Sequence, residues 1–175
     1  MNEAPFIPEH IGVESSLGYF LSTARNVLAA RMDRAVAPLG LTSSQIGVIL
    51  LLWYERARTP NEMSRVLSYD TGSMTRMLDR LEKKGFLVRE RSQADRRVVE
   101  LALTPPGRAA AQKLPDLIST VLSAQLRGFS SDEAATLVHL LQRFIANDAA
   151  TEVVCSGAAG RQATRHPLTT GGDET

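Results

Sequence analysis

Cysteine is nearly missing from this chain: Cys155 is the only one in 175 residues. A single thiol excludes an internal disulfide framework and fits a reducing cytosol. No apolar run approaches the roughly 18 to 20 residues that a membrane span needs, and the longest candidate, Ile46 to Tyr54, is far too short. The first ten residues, MNEAPFIPEH, lack both a basic n-region and an apolar h-region, so no secretory signal is expected there. Histidine is scarce too: His10, His139 and His166 fall in an arm, a helix and a tail. No His or Cys lies at metal-ligand spacing, and neither a Ser/His/Asp arrangement nor a phosphate loop is present. Asp132 and Glu133 resemble paired carboxylates but sit at a helix start. No metal, cofactor or enzymatic activity is expected.

Net charge is equally small, +1, yet it is unevenly spread. Between Arg76 and Arg97 there are eight bases (Arg76, Arg80, Lys83, Lys84, Arg89, Arg91, Arg96, Arg97) against four acids (Asp79, Glu82, Glu90, Asp95), so this segment is +4 and the remainder is net acidic. A local basic field is what phosphate binding needs. The bland reading is a solvated helix face with i,i+4 pairs such as Asp79 with Lys83.

What is present is strongly punctuated. Residues 1–14 read as a loose arm broken by Pro5, Pro8 and Gly12. Leu17, Phe20, Leu21, Ala24, Val27, Leu28, Ala35 and Val36 recur at helical spacing and predict a helix over 15–37, closed by Pro38 and Gly40. Thr42-Ser43-Ser44-Gln45 is a capping box that opens a helix to about Arg56, and Thr59-Pro60-Asn61-Glu62 is another, with proline at the first helical position. The second opens a two-turn helix with Met63, Val66 and Leu67 inward. After a break at Ser68-Tyr69-Asp70, where Asp70 or Thr71 can cap, a helix is predicted over 71–84. Its buried stripe is Met74, Met77, Leu78 and Leu81, and Gly85 is its left-handed stop. The opposite face carries Gly72, Ser73, Thr75, Arg76, Asp79 and Arg80. Small or hydrogen-bonding residues lead and basic ones follow, an order that suits a helix entering the major groove.

Two strands are predicted at Phe86–Arg91 and Val98–Leu103, joined by the polar tip Ser92 to Arg96. In such a wing Arg89, Arg91, Asp95, Arg96 and Arg97 would meet the DNA backbone or the minor groove, with Asp95 orienting the Arg97 guanidinium. Thr104-Pro105-Pro106-Gly107 caps a further helix carrying Leu114, Leu117, Ile118, Val121, Leu122 and Leu126, which Pro115 should kink or divide. Ser130-Ser131-Asp132-Glu133 is a third capping box, before a helix with Leu137, Leu140, Leu141, Phe144 and Ile145 inward. From about Ala149 the composition turns to Thr, Gly, Ser and Ala, and a disordered tail over 149–175 is expected. The fold class is therefore mainly α (α+β): a winged helix-turn-helix over 42–104, and a helical dimerisation region from 15–41 and 105–148.

Taken in order, these elements resemble the MarR family of bacterial transcriptional regulators. The segment Leu78-Asp79-Arg80-Leu81-Glu82-Lys83-Lys84-Gly85, running into Asp95-x-Arg97 and Leu103-Thr104, carries the resemblance, which spans roughly residues 15 to 148. It implies a homodimer that interleaves the first helix with the last two and presents two winged helices to a pseudo-palindromic operator. It also implies repression of a neighbouring gene, and release by a small, often phenolic, ligand or by cysteine oxidation. Ser73, Thr75 and Arg76 match the family's groove-facing residues, and Asp95 and Arg97 its wing pair. Thr71-Gly72 departs from commoner serine-rich variants and leaves the operator sequence open. The long terminal helices independently favour a dimer, since they carry more apolar surface than one small winged helix covers.

Two triggers are open at this stage. A ligand pocket is expected to use Tyr19, Arg31, Trp53 or Tyr54, although aromatic residues serve more often as core. Cys155 is a redox candidate in the tail, with no nearby base to activate it; the competing reading is an inert thiol. The other function class is a winged-helix protein-interaction module, which would show no operator preference. The expected partners are an operator duplex, a second copy of the chain and a small effector, with no membrane, in the cytoplasm.

Overall fold

The computed structural model describes residues 16–159, with side chains as far as residue 147. Its elements are α1 (Leu17–Val36), a 3-10 turn (Ala37–Leu39), α2 (Ser43–Trp53), α3 (Pro60–Leu67), α4 (Thr71–Lys83), β1 (Leu87–Arg91), β2 (Val99–Leu103), α5 (Pro105–Gln125) and α6 (Ser131–Ala159). They form two units, one ending at Gln125 and the other beginning at Leu126.

Local sequence chemistry sets the boundaries of the first unit. The Gln45 side chain accepts the Thr42 N–H at 3.1 Å, and the Glu62 carboxylate accepts the Thr59 N–H at 3.0 Å while Thr59 Oγ1 takes the Glu62 N–H at 3.3 Å. Both boxes satisfy amide groups that a helix start leaves without partners. Asp70 caps α4, and Gly85 ends it at φ 77°, a conformation that side chains with a Cβ resist. Thr104 closes the hairpin onto α5: its hydroxyl donates to the Gly85 carbonyl at 2.5 Å and accepts the Gly107 N–H at 3.2 Å.

The core of this unit joins all its helices and the hairpin. Val36, Val48, Ile49, Met63, Met74, Leu78, Leu81, Leu87 and Leu114 are fully enclosed. All four residues of the predicted α4 stripe are buried. Val66 is not: it is half exposed, and only Met63 of its helix is fully covered. No break in packing falls at 41/42 or 104/105, because Met32 and Val36 of α1 and Ala110, Ala111 and Leu114 of α5 belong to the same core. The hairpin is antiparallel, with Leu87 opposite Leu103, Arg89 opposite Leu101 and Arg91 opposite Val99. Beyond β2, the Leu101 N–H donates to the Arg58 carbonyl at 2.7 Å. α5 runs through Pro115 as a single helix rather than dividing there, with Leu114 buried beside an exposed proline.

In the second unit the third capping box forms as expected: Glu133 accepts the Ser130 N–H at 2.8 Å and Ser130 Oγ takes the Glu133 N–H at 3.2 Å. The helix continues to Ala159, past residue 149 where composition predicted disorder. Ala149, Ala150, Ala158 and Ala159 are good helix formers, and they prolong an already nucleated helix at little cost. The rest of the expected tail, 160–175, lies outside the described residues, as does the arm 1–14. Leu137, Leu140, Leu141, Phe144 and Ile145, read as inward, are all exposed in the single chain, as are Leu17, Phe20 and Val27 of α1. Their spacing fits a buried face, yet among the described residues these side chains are uncovered. Among the described residues no single helix is long and apolar enough to cross a membrane.

Candidate nucleic-acid interface

α4 is the two-sided element on which the site is built. Behind it lies the enclosed Met74–Leu81 stripe; in front, Gly72, Thr75, Arg76 and Arg80 are exposed and Ser73 is half-buried. The first turn is organised by side chains. Asp70 Oδ1 accepts the Ser73 N–H at 2.8 Å, Arg76 Nη2 donates to Ser73 Oγ at 3.2 Å, and Thr75 Oγ1 donates to the Thr71 carbonyl at 2.8 Å. Hydrogen bonds from the Ser73 side chain and backbone hold the Asp70 carboxyl below its ordinary value. Gly72 leaves room for this arrangement: a Cβ there would lie 3.3 Å from Asp70 Oδ1 and 3.7 Å from Arg76 Nη1.

The wing tip is tied by its own backbone. The Ser92 N–H donates to the Val98 carbonyl at 3.0 Å and the Val98 N–H to the Asp95 carbonyl at 2.9 Å. Asp95 does not hold the Arg97 guanidinium. Its Oδ1 accepts the Arg97 backbone N–H at 2.9 Å, because a carboxylate two residues ahead reaches the amide in an Asx turn more readily than the end of a long side chain. The Arg91 guanidinium donates to the Arg96 carbonyl at 2.8 Å. Among the described residues the guanidinium groups of Arg80, Arg96 and Arg97 make no ion pair, so their charge is open to a ligand.

Two members of the basic field are spent inside the protein. Arg89, expected on the DNA backbone, turns to α4 instead: Nη2 donates to Asp79 Oδ1 at 2.7 Å, Nη1 to Glu82 Oε2, and its backbone N–H to Glu82 Oε1 at 3.3 Å. Partial burial works against the charge, but bonds and attraction from Asp79 and Glu82 outweigh it and raise the guanidinium above its ordinary value. Asp79 thus pairs with Arg89 rather than with Lys83, the partner that the bland reading of a solvated helix face offered. Lys84 donates to the Gly40 carbonyl at 2.7 Å and to Gln45 Oε1 at 3.2 Å, fastening the end of α4 to the start of α2. Neither arrangement has a signal in sequence spacing, since the partners of Lys84 lie 39 and 44 residues away.

The residues expected to form a ligand pocket are not brought together. Tyr19, Arg31 and Tyr54 are exposed. Trp53 lines a 340 Å³ hollow behind the hairpin with Arg58, Glu90, Glu100 and Arg108. A larger, mainly apolar cavity of 520 Å³ lies against α1, α2 and α5, lined by Leu28, Met32, Ile46, Tyr69, Ile118 and Leu122, with Arg25 among its polar groups. On α1 this selects the face of Arg25, Leu28, Ala29 and Met32, whereas Tyr19 and Arg31 fall on other faces. The Cys155 side chain lies outside the described residues.

A family model described as "MarR family" matches residues 41–99. The multiple antibiotic resistance protein MarR of Escherichia coli is 35% identical over 115 residues, covering 65% of this chain and 80% of that protein. This chain belongs to the MarR family. A second relative, the organic hydroperoxide resistance transcriptional regulator of Bacillus subtilis, is 31% identical over 114 residues, 65% of this chain and 78% of that protein. Among solved structures, a mutant MarR from E. coli complexed with operator DNA superposes with a TM-score of 0.68 at 31% identity, covering 73% of this chain and 92% of that one. The transcriptional repressor CouR bound to a 23-mer DNA duplex gives 0.66 at 31% identity, covering 77% and 94%. The chain is thus a DNA-binding transcriptional regulator of the winged-helix kind, from a family of regulators rather than enzymes.

Proposed function

We propose that two copies of this MarR-family chain form a cytoplasmic homodimer that represses a promoter by binding a pseudo-palindromic operator. The observation that carries this reading is the apolar row on α6, Leu137, Leu140, Leu141, Phe144 and Ile145, all of it exposed in the single chain. A continuous apolar face of this kind is unusual on a monomer, and a second copy with the same face supplies its cover. In each protomer Gly72, Ser73, Thr75, Arg76 and Arg80 enter the major groove. Arg91, Arg96 and Arg97 of the wing lie along the backbone or in the adjacent minor groove. The release signal is a small aromatic or phenolic molecule in the 520 Å³ cavity, where apolar walls take the ring and Arg25 takes an acidic group. Oxidation of Cys155 is the second route. It predicts a disulfide-linked dimer band on a non-reducing gel after oxidant.

The test is selection of the bound sequence from random duplexes, followed by titration at several salt concentrations. The recovered site should be an inverted repeat bound by one dimer. Arg97→Ala should lower the magnitude of the salt slope by about one, with affinity falling on operator and random DNA alike. A recovered site without two-fold symmetry, or one bound by a single chain, overturns the reading.

A further inference from the structure

Arg89 lies in the basic field and on the wing strand, yet its charge is taken up by two carboxylates of the protein itself. Its planar fork spans two carboxylates three residues apart on α4: Nη2 meets Asp79 Oδ1 at 2.7 Å, and Nη1 meets Glu82 Oε2. The other oxygen of Glu82 takes the Arg89 backbone N–H at 3.3 Å, so that one carboxylate grips both the strand and its side chain. The arginine is the least exposed of the three, at 27% against 57% and 38% for its partners. The apolar packing that joins α4 to the hairpin, in a core holding Leu78, Leu81 and Leu87, is non-directional. The fork is the directional contact between these two elements.

We infer that Arg89 is a positioning residue that fixes the angle between the recognition helix and the wing, and that Asp79 and Glu82 serve DNA binding although both are acidic. The inference rests on the reading that α4 and the wing hold one duplex together. Two contact elements on a rigid duplex must be set at one angle to engage simultaneously, and a bond bridging their roots sets that angle before DNA arrives. Asp79 stands on the exposed side of α4 between Arg76 and Arg80. Drawing it toward Arg89 also keeps a bare carboxylate from facing phosphate.

The competing account, in which Arg89 is one more phosphate contact, predicts opposite signs. Removing the acids would then tighten DNA binding, because the protein becomes more basic. The experiment is a cycle on the full-length protein: Arg89→Gln, the pair Asp79→Asn with Glu82→Gln, and all three together, each titrated with operator across a salt series. Asp79→Asn alone and Arg89→Lys are added, since Asp79 is largely exposed and its loss leaves the Glu82 bonds in place. The expected result is that the neutralised pair binds operator more weakly than wild type, roughly fivefold, despite two fewer negative charges. Arg89→Gln should lose a similar factor at an unchanged salt slope, the triple variant should be no worse than Arg89→Gln, and Asp79→Asn alone should lose less. Arg89→Lys should recover only part, since an ammonium cannot bridge both carboxylates. Tighter or unchanged binding by the neutralised variants overturns the inference, as does a slope lowered by about one in Arg89→Gln or full function in Arg89→Lys. Wild-type binding and the Arg97→Ala slope, measured alongside, report separately on whether the wing engages DNA at all.

Discussion

Gly107 is where the chain tolerates least. A Cβ at this position would lie 1.9 Å from the Phe86 carbonyl oxygen and 3.1 Å from Leu103 Cδ2, so the backbone of α5 rests directly on the root of the hairpin. Gly107→Ala should destabilise the fold by about 1 to 3 kcal/mol, read as a lower urea midpoint at unchanged m-value. Arg76 has the opposite character: it is exposed, and its bond to Ser73 Oγ can be exchanged for one to a base edge. Arg76→Ala should leave the urea midpoint nearly unchanged but reduce discrimination among operator bases by about 1 to 3 kcal/mol, with random DNA less affected. Equal losses on specific and random duplexes would assign Arg76 to phosphate instead. Residue roles that depend on local spacing were legible in the sequence: the Asp70 cap, the Gly85 stop, the exposed face of α4. Those that depend on which element packs beside which were not. Arg89 and Lys84 have the composition of DNA contacts, and only the approach of β1 to α4, and of α4 to α2, reveals their internal partners.

At the scale of elements, the capping boxes link stability to pH. Hydrogen bonds from the Arg58 and Thr59 backbone hold the Glu62 carboxyl below its ordinary 4.5. A depressed carboxylate contributes its stability above the unfolded value and loses it as pH falls through the folded one, where the unfolded chain already binds the proton. The difference in urea midpoint between wild type and Glu62→Gln should therefore be full at neutral pH and close as pH falls below 4.5. A gap that widens in acid would contradict this. The boxes were also why α2, α3 and α6 could be placed at their first residues from sequence alone. Hydrophobic periodicity placed the buried face of α4 equally well, since that helix is packed on one side only. It served α1 and α6 less well: the period marks an apolar face without saying whether the same chain covers it. The cavity has no signature in the sequence for a related reason. Its walls come from three helices and the Tyr69 turn, and Tyr19, Trp53 and Tyr54 stand on other faces.

On the scale of the whole molecule, the proposed pairing of two winged helices rests on the exposed apolar row of α6. Leu140→Glu with Phe144→Glu should halve the mass seen by sedimentation and abolish high-affinity operator binding, while the first unit, which has its own core, keeps its unfolding midpoint. A variant that stays dimeric would move the interface elsewhere.

The hairpin itself has a further property. A two-stranded ribbon presents two unpaired edges, each a template onto which another chain can add a strand and begin to aggregate. Here the middle of each edge is stoppered: on β2 the Leu101 N–H is taken by the Arg58 carbonyl, and on β1 the Arg89 N–H is taken by Glu82. The cross-strand neighbours Glu90 and Glu100 add like charges that an incoming strand would have to accommodate. The same glutamate that braces the recognition helix thus guards the chain against fibre formation, and its neutralisation should be felt in solubility as well as in DNA binding.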